Sequence, residues 1–310
     1  MSFSYEVKSE IVRGEYTKTS AIAELSAIVY NNAIIDTYVE IMVDSNVVTR
    51  HIYKLLKDIY NVSLNVEVVK KHNFNNKVTY VLTIKDNIDK ILKDLSIYDN
   101  DGNYLIIPKD YIISDEEEIR AYFKGLFLVT GSINNPKKSG YHLEFVVNNL
   151  DYANMINSLL NVYNLNSKVL KREKGYMVYI KEAEKISDFL RLIKAYNAVL
   201  YFEDIRIYRD HKNMTNRLNN CEQANMDKVF ITSNKQLKDI NKLMEYGVFD
   251  SLDSRLQEVI KYRLEYKEAS LFELSTIITK KTGKVITKSG LNHRFRKIRE
   301  MVEKLDKEKK

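Results

Sequence analysis

The sequence predicts an α+β body in which one α-β-α-β-β-α unit is used twice, followed by an all-α module. Two patterns and one asymmetry lead to it. Apolar spacing switches between helical and strand periods in a fixed order, that order recurs after roughly a hundred residues, and the surplus of positive over negative charge sits at the C-terminal end.

In the first copy, Thr19 to Ala33 reads as a helix with Thr19 or Ser20 as its cap, Thr37 to Val43 alternates as a strand, and Val47 to Val62 is amphipathic at helical spacing. LNVEVVKK and KVTYVLTIK follow as a hairpin across HNFNN, and IDKILKDL closes the unit as a helix. In the second copy, Glu118 to Ile133 is the opening helix and Tyr141 to Val147 the strand. LDYANMINSLLNVYNL is the amphipathic helix, a hairpin turns at Lys174 and Gly175, and EKISDFLRLI closes. Val39-Glu40-Ile41 answers Leu143-Glu144-Phe145, and Ile59-Tyr60-Asn61 answers Val162-Tyr163-Asn164. The body therefore spans residues 1–205, with half-repeats at about 15–100 and 115–200 and two antiparallel sheets about a pseudo-two-fold axis. A polar helical connector covers 206–251 and the all-α module 252–310.

Composition agrees with folded cores: of 310 residues, 45% are hydrophobic and 29% charged, which excludes disorder as the main state. The net charge of +7 is unevenly placed. Ser254 to Lys310 holds sixteen Lys/Arg against eight Asp/Glu, so the preceding chain is near neutral. That asymmetry fits an appended polyanion-binding module, against the plainer reading of a solvated helical face with a Lys-rich tail. The single Cys221 excludes an internal disulfide and a multi-Cys zinc site, fits a reducing cytoplasm, and is expected to be a small buried residue. No apolar run is long enough for a membrane span, and the first twenty residues lack a signal-peptide core. HExxH, GxxxxGK[ST] and GxGxxG are all missing, and Gly131 to Gly140 reads as a turn, so no cofactor and no metal are expected.

Two helices meeting closely at a two-fold axis need small residues at the contact. Ser26, Ala27 and Ala33 supply them in the first copy, Gly125 and Gly131 in the second. Through LSAIVYNNA (Leu25 to Ala33) and FKGLFLVTG (Phe123 to Gly131), the opening helices resemble the LAGLIDADG helices of homing endonucleases. The resemblance implies an acid at the eighth position of each segment, where paired carboxylates hold divalent ions for phosphodiester cleavage. Asn32 and Thr130 stand there instead, and neither can concentrate a cation. The scaffold is thus expected without the catalysis, with no catalytic residue and no enzyme. Nearby Asp36 reads as a turn or strand-edge residue.

Glu203 to Lys228 is dense in Arg and Asn. Arg206, Arg209, Asn213 and Arg217 are candidate contacts to phosphates or bases, and the same residues could cap helix ends and knit the body to the connector. Beyond it, Leu252 to Tyr266 is amphipathic, Ser270 and Glu273 form a capping box, and the helix they open stops at Gly283. With Ser289 as cap, a last helix carries Leu291, Phe295, Ile298, Val302 and Leu305 as one inward stripe. Ser289, Asn292, His293, Arg296 and Lys297 lie opposite, near the helix start, where a helix in a major groove presents donors to base edges and phosphates. Ser270, Lys288, Arg294 and Arg299 join them as candidate DNA contacts. The three helices read as a helix-turn-helix.

VKSEI near the start, GSINNP with YHLEF, the run from RIYRD to NCEQAN, and ASLFEL followed by KSGLNHRFRKI together resemble the WhiA family over nearly the whole chain. That resemblance implies a degenerate LAGLIDADG domain tethered to a helix-turn-helix, acting as a non-enzymatic, sequence-specific DNA-binding regulator of transcription. It further implies roles in cell division, chromosome segregation and, where it occurs, sporulation. The implied partners are double-stranded DNA and another transcription or division protein, with no membrane, in the cytoplasm at the nucleoid. The rival expectations are an active LAGLIDADG endonuclease and a protein-interaction scaffold with only non-specific DNA affinity.

Overall fold

A computed structural model describes residues 2–70 and 78–308. The hairpin turn expected at HNFNN, residues 72–76, lies outside them. The chain divides into two compact units, Met1–Arg209 and Asp210–Lys310.

In the first unit α1 (Phe3–Ile11) precedes the repeat. The first copy runs α2 (Lys18–Asn32), β1 (Ala33–Ile35), β2 (Val39–Val43), α3 (Asn46–Tyr60), β3 (Leu64–Lys70), β4 (Val78–Ile84) and α4 (Ile88–Asp94). The second runs α5 (Glu116–Thr130), β5 (Gly131–Ile133), β6 (Leu143–Val147), α6 (Leu150–Val162), β7 (Lys168–Lys171), β8 (Tyr176–Ile180) and α7 (Ala183–Leu192). Each copy thus carries one strand more than periodicity predicts. Ala33 and Gly131 cap the opening helices with extended backbone, and the chain passes straight into three residues paired to β2 or β6. Three-residue strands are too short to show alternation. The sheets share one antiparallel order, β1-β2-β4-β3 and β5-β6-β8-β7, so the duplication extends to topology.

Local chemistry sets the boundaries. Thr17, rather than Thr19 or Ser20, caps α2: its side chain accepts from the Ser20 N–H, and Ser20 returns a contact to the Thr17 backbone. Asp115 and Glu118 form the matching box on α5. Asn61 ends α3 in the left-handed region, φ 52°, with its N–H on the Lys57 carbonyl.

The opening helices α2 and α5 pack on each other at the centre of the unit. Their approach is set by Gly125, where an added Cβ would lie 2.3 Å from the Glu24 carbonyl oxygen. Ser26 and Ala27 are buried beside it, whereas Ala33 and Gly131 serve the exits into β1 and β5 and not the contact. The core around this pair is aliphatic in the first copy (Leu25, Val29, Ile41) and aromatic at the matching positions of the second. There Phe123, Phe127 and Phe145 each lie within 6.2 Å of the Phe189 ring, which itself comes from α7. Each such side chain contributes about 1.5–3 kcal/mol on burial.

One polar group interrupts the core. Glu24, 1% exposed, accepts His51 Nε2 at 2.7 Å and Lys124 Nζ at 3.0 Å, joining α2, α3 and α5. Burial pushes its carboxyl up, but His51 and Lys124 together outweigh burial and hold it below the usual carboxylate range.

Helix α1 fastens the unit's edge. Ser4 Oγ donates to the Ile133 carbonyl at 3.0 Å and accepts from its N–H at 2.7 Å. The Glu10 carboxylate accepts from the backbone N–H groups of Asn197 and Ala198, at 2.7 and 3.0 Å, capping the start of α8 (Tyr196–Glu245).

The second unit holds the C-terminal part of α8 with α9 (Ser254–Glu265), α10 (Leu271–Thr282) and α11 (Lys288–Glu308). Ile240 and Leu243 of α8 join Leu256, Val259, Ile260, Leu274, Ile278 and the α11 stripe in a separate core.

A Gly125→Ala variant is expected to lose about 2–4 kcal/mol of stability, since a methyl there must push two backbones apart. Urea unfolding measures it; a loss below about 0.5 kcal/mol, the scale of a surface change, would show that the helices are not held at this distance.

Candidate nucleic-acid interface

The second unit builds an exposed basic face on a buried stripe. Ser270 accepts from the Glu273 N–H at 3.2 Å while Glu273 accepts from the Ser270 N–H at 2.8 Å, completing the capping box of α10. These hydrogen bonds hold Glu273 below the usual carboxylate range. Gly283, φ 71°, ends α10 with its N–H on the Thr279 carbonyl at 3.0 Å, a conformation that suits glycine. The Thr279 hydroxyl then accepts from the Ile286 N–H at 3.1 Å, holding the turn closed. The cap of α11 is Thr287, not Ser289: its hydroxyl accepts from the Gly290 N–H at 3.1 Å, and the helix starts a residue before Ser289.

Leu291, Phe295, Ile298 and Val302 are buried as expected of the stripe, and the opposite side of α11 is open. Lys288, Ser289, Asn292, His293, Arg296, Lys297 and Arg299 are all exposed. Arg296 lies with Nη2 at 3.1 Å from His293 Nδ1 and Nε at 3.7 Å from Glu300, and Arg299 pairs with Glu303 at 2.9 Å. Such exposed helix pairs are weak, so a phosphate can displace the glutamates at small cost. Two candidates sit differently. Arg294 is partly buried and turns its Nη1 toward the Arg255 carbonyl at 3.5 Å, and Ser270 is engaged as a cap.

Sequence reading missed two residues of this face and one beneath it. Lys284 and Val285 stand exposed in the turn before α11, Val285 at 85%. A lone valine between a glycine and a helix start carries no periodic signal. Arg263, on the charged side of α9 by sequence, is 1% exposed. Its Nη1 donates to the carbonyls of Ala269 at 2.6 Å and Tyr266 at 3.2 Å, and its guanidinium lies 5.5 Å from the Phe295 ring. Burial pulls its pKa below the ordinary arginine value. It satisfies carbonyls after α9 and props the middle of α11 from beneath.

In the first unit, Asn32 and Thr130 end the two opening helices, and both side chains are spent on backbone. Asn32 Nδ2 donates to the Met42 carbonyl at 2.7 Å and Thr130 Oγ1 to the Leu126 carbonyl at 2.9 Å. Asp36 is exposed in the turn after β1. No group of three or more His, Cys, Asp or Glu suited to a metal occurs among the described residues. The sheet faces turned from the helices, read from the ladder register of the inner strands, carry partly buried Glu40 and Met42 beside buried Val81 and Thr83 on one sheet, and partly buried Glu144, Val146 and Tyr179 beside buried Met177 on the other. Glu40 and Glu144 occupy matching places, and Glu144 is paired with Arg172 at 2.7 Å. This is not the strongly basic surface that tracks phosphates.

Along α8, Arg206 pairs with Glu203 at 2.9 Å. Arg209 donates to the Pro136 and Ser139 carbonyls at 2.7 and 2.9 Å and stacks 4.9 Å from the Tyr141 ring, which knits it to the body. Asn213 and Arg217 are exposed and make no such contact. Cys221 is exposed too, contrary to expectation, because every residue of α8 from Asp210 to Lys228 faces solvent.

In the full chain, Arg263→Ala is expected to lower hydrogen-exchange protection of the α11 amides by about 2–4 kcal/mol, leaving α2 and α5 unchanged. Equal protection of α11 in both proteins would show that the guanidinium supports nothing.

Family models described as the WhiA N-terminal LAGLIDADG-like domain, the WhiA LAGLIDADG-like domain and the WhiA C-terminal HTH domain match residues 18–98, 119–212 and 215–302. A protein of Staphylococcus saprophyticus, named probable cell division protein WhiA, is 41% identical and covers 98% of each chain. One of the same name from Lactiplantibacillus plantarum is 40% identical over 99% of this chain and 100% of its own. Full-length DUF199/WhiA from Thermatoga maritima has the same fold, with TM-score 0.60, 22% identity and coverage of 98% and 99%. With end-to-end identity near two-fifths and all three domain models in order, the chain belongs to the WhiA family.

Proposed function

We propose that this protein is a non-enzymatic, sequence-specific DNA-binding regulator of transcription, with α11 as its reading helix. The observation that carries this is the N-terminal half of α11: Asn292, His293, Arg296 and Lys297 exposed on a helix whose other side is fixed in a core. Side chains on a helix held this way reach base edges in a major groove, and Lys284, Lys288 and Arg299 reach the flanking phosphates. The names of the relatives support a role in cell division; chromosome segregation and, in sporulating organisms, sporulation are what membership of the family implies as the wider setting. The site of action is the nucleoid.

The first unit takes a protein partner rather than a second stretch of duplex. Glu40 and Glu144 at the centres of the sheet faces turned from its helices favour this, since each would repel phosphates. Hydrolysis is not assigned to it, because the carboxylates that would draw a divalent cation are replaced by amide and hydroxyl groups already bonded to carbonyls.

Genome-wide crosslinking should recover discrete sites, and fluorescence anisotropy on one of them tests the reading. Arg296→Ala is expected to cost about 1–3 kcal/mol and relax preference at one base position. Replacing Lys304 or Lys307 should weaken all sequences alike and flatten the salt dependence. Uniform losses for Arg296→Ala across sequences would remove it from base readout. Supercoiled plasmid incubated with the protein and Mg²⁺ should stay intact; cleavage abolished by Asp36→Asn would overturn the non-enzymatic reading.

A further inference from the structure

We propose that the exposed middle of α8 pairs, in parallel and in register, with the same segment of a second copy of this chain. From Asp210 to Lys228 every residue faces solvent, so this stretch of helix has no packed face to support it. Helical segments without tertiary support are marginal in water unless something covers an apolar side.

The sequence of the segment says what covers it. His211, Met214, Leu218, Cys221 and Asn225 follow one another at spacings of three, four, three and four, the seam of a two-stranded coil. Met214 and Leu218 are 63% and 55% exposed, an unusual setting for apolar side chains aligned on one face. The far side carries Asn216, Asn219, Asn220 and Gln223, polar groups that are content in water, with Lys212, Asp227 and an exposed Met226 at its ends. Asn225 falls at a seam position where a single amide fixes register and two-strand pairing.

Charge selects a second copy over the alternatives. Asp210, Glu222 and Asp227 cancel Lys212, Arg217 and Lys228, so the segment has no net pull on a polyanion. Arg217 and Glu222 flank the seam and are five residues apart. In a parallel pair that spacing brings each Arg217 to the Glu222 of the other copy, twice by symmetry. The surface is thus complementary to itself, and Cys221 of one copy faces Cys221 of the other across the axis.

Sedimentation velocity on the full chain at rising concentration tests this, with diamide oxidation of Cys221 as a register probe. Wild type should shift from monomer to dimer, and diamide should yield a disulfide-linked dimer that dithiothreitol reverses. Leu218→Asp should weaken dimerisation by about tenfold or more and slow the cross-link equally, with unchanged far-ultraviolet circular dichroism. Arg217→Glu should weaken it as well, and adding Glu222→Arg should restore it. A protein monomeric at every concentration overturns the proposal. So does a dimer indifferent to Leu218→Asp, a dimer that does not cross-link through Cys221, or a charge swap without rescue. A monomer whose DNA affinity falls when Asn216 and Asn219 become alanine would assign the segment to duplex instead.

Discussion

The first unit depends on how closely α2 and α5 approach. With hydrogen in place of a methyl at Gly125, the helix backbones meet at the Glu24 carbonyl, and the two copies share one core. That contact also sets the problem that Glu24 poses. A carboxylate sealed between helices needs cationic or donor partners, and His51 and Lys124 supply them from the two neighbouring helices. The polar cluster is therefore a product of close packing. Both oxygens of Glu24 are satisfied by protein, one by His51 and one by Lys124, and the residue is 1% exposed. At the helix ends, Asn32 and Thr130 are both turned back onto backbone carbonyls.

The second unit uses a different economy. Its basic residues do not form a core or a cluster; they stand on a helix whose position is fixed from behind by Phe295, Ile298 and the buried Arg263. A helix fixed this way has little conformational freedom left to lose on association. The glutamates one turn along, Glu300 and Glu303, keep Arg296 and Arg299 extended along the helix surface in the free protein.

Much of this was legible in the sequence because it is periodic. The duplicated units, the α11 stripe, the Ser270–Glu273 box and the Gly283 stop all follow from spacing and turn chemistry, and the structure has each of them. Strands β1 and β5 were not legible, since three residues leaving a helix show neither period. Thr17 was overlooked for Thr19 because both can cap, and only the backbone angle at the helix start decides between them. Arg263 and Glu24 look like surface charges in sequence, since nothing local records that a ring or a second helix covers them. Cys221 failed in the opposite sense: small apolar residues are usually buried, and here the stretch of helix that carries it, Asp210 to Lys228, is bare.

The anchoring of α1 has a consequence for any protein made without it. β5 is the edge strand of its sheet, and the Ser4 hydroxyl occupies both backbone groups of Ile133 on its outer side. Remove the first dozen residues and that outer side becomes a vacant pairing template, the feature through which sheets of separate molecules join. The same cut strips Glu10 from the first N–H groups of α8. A shortened chain would then carry an uncovered sheet edge and a frayed start to α8, so a short N-terminal helix is what closes both.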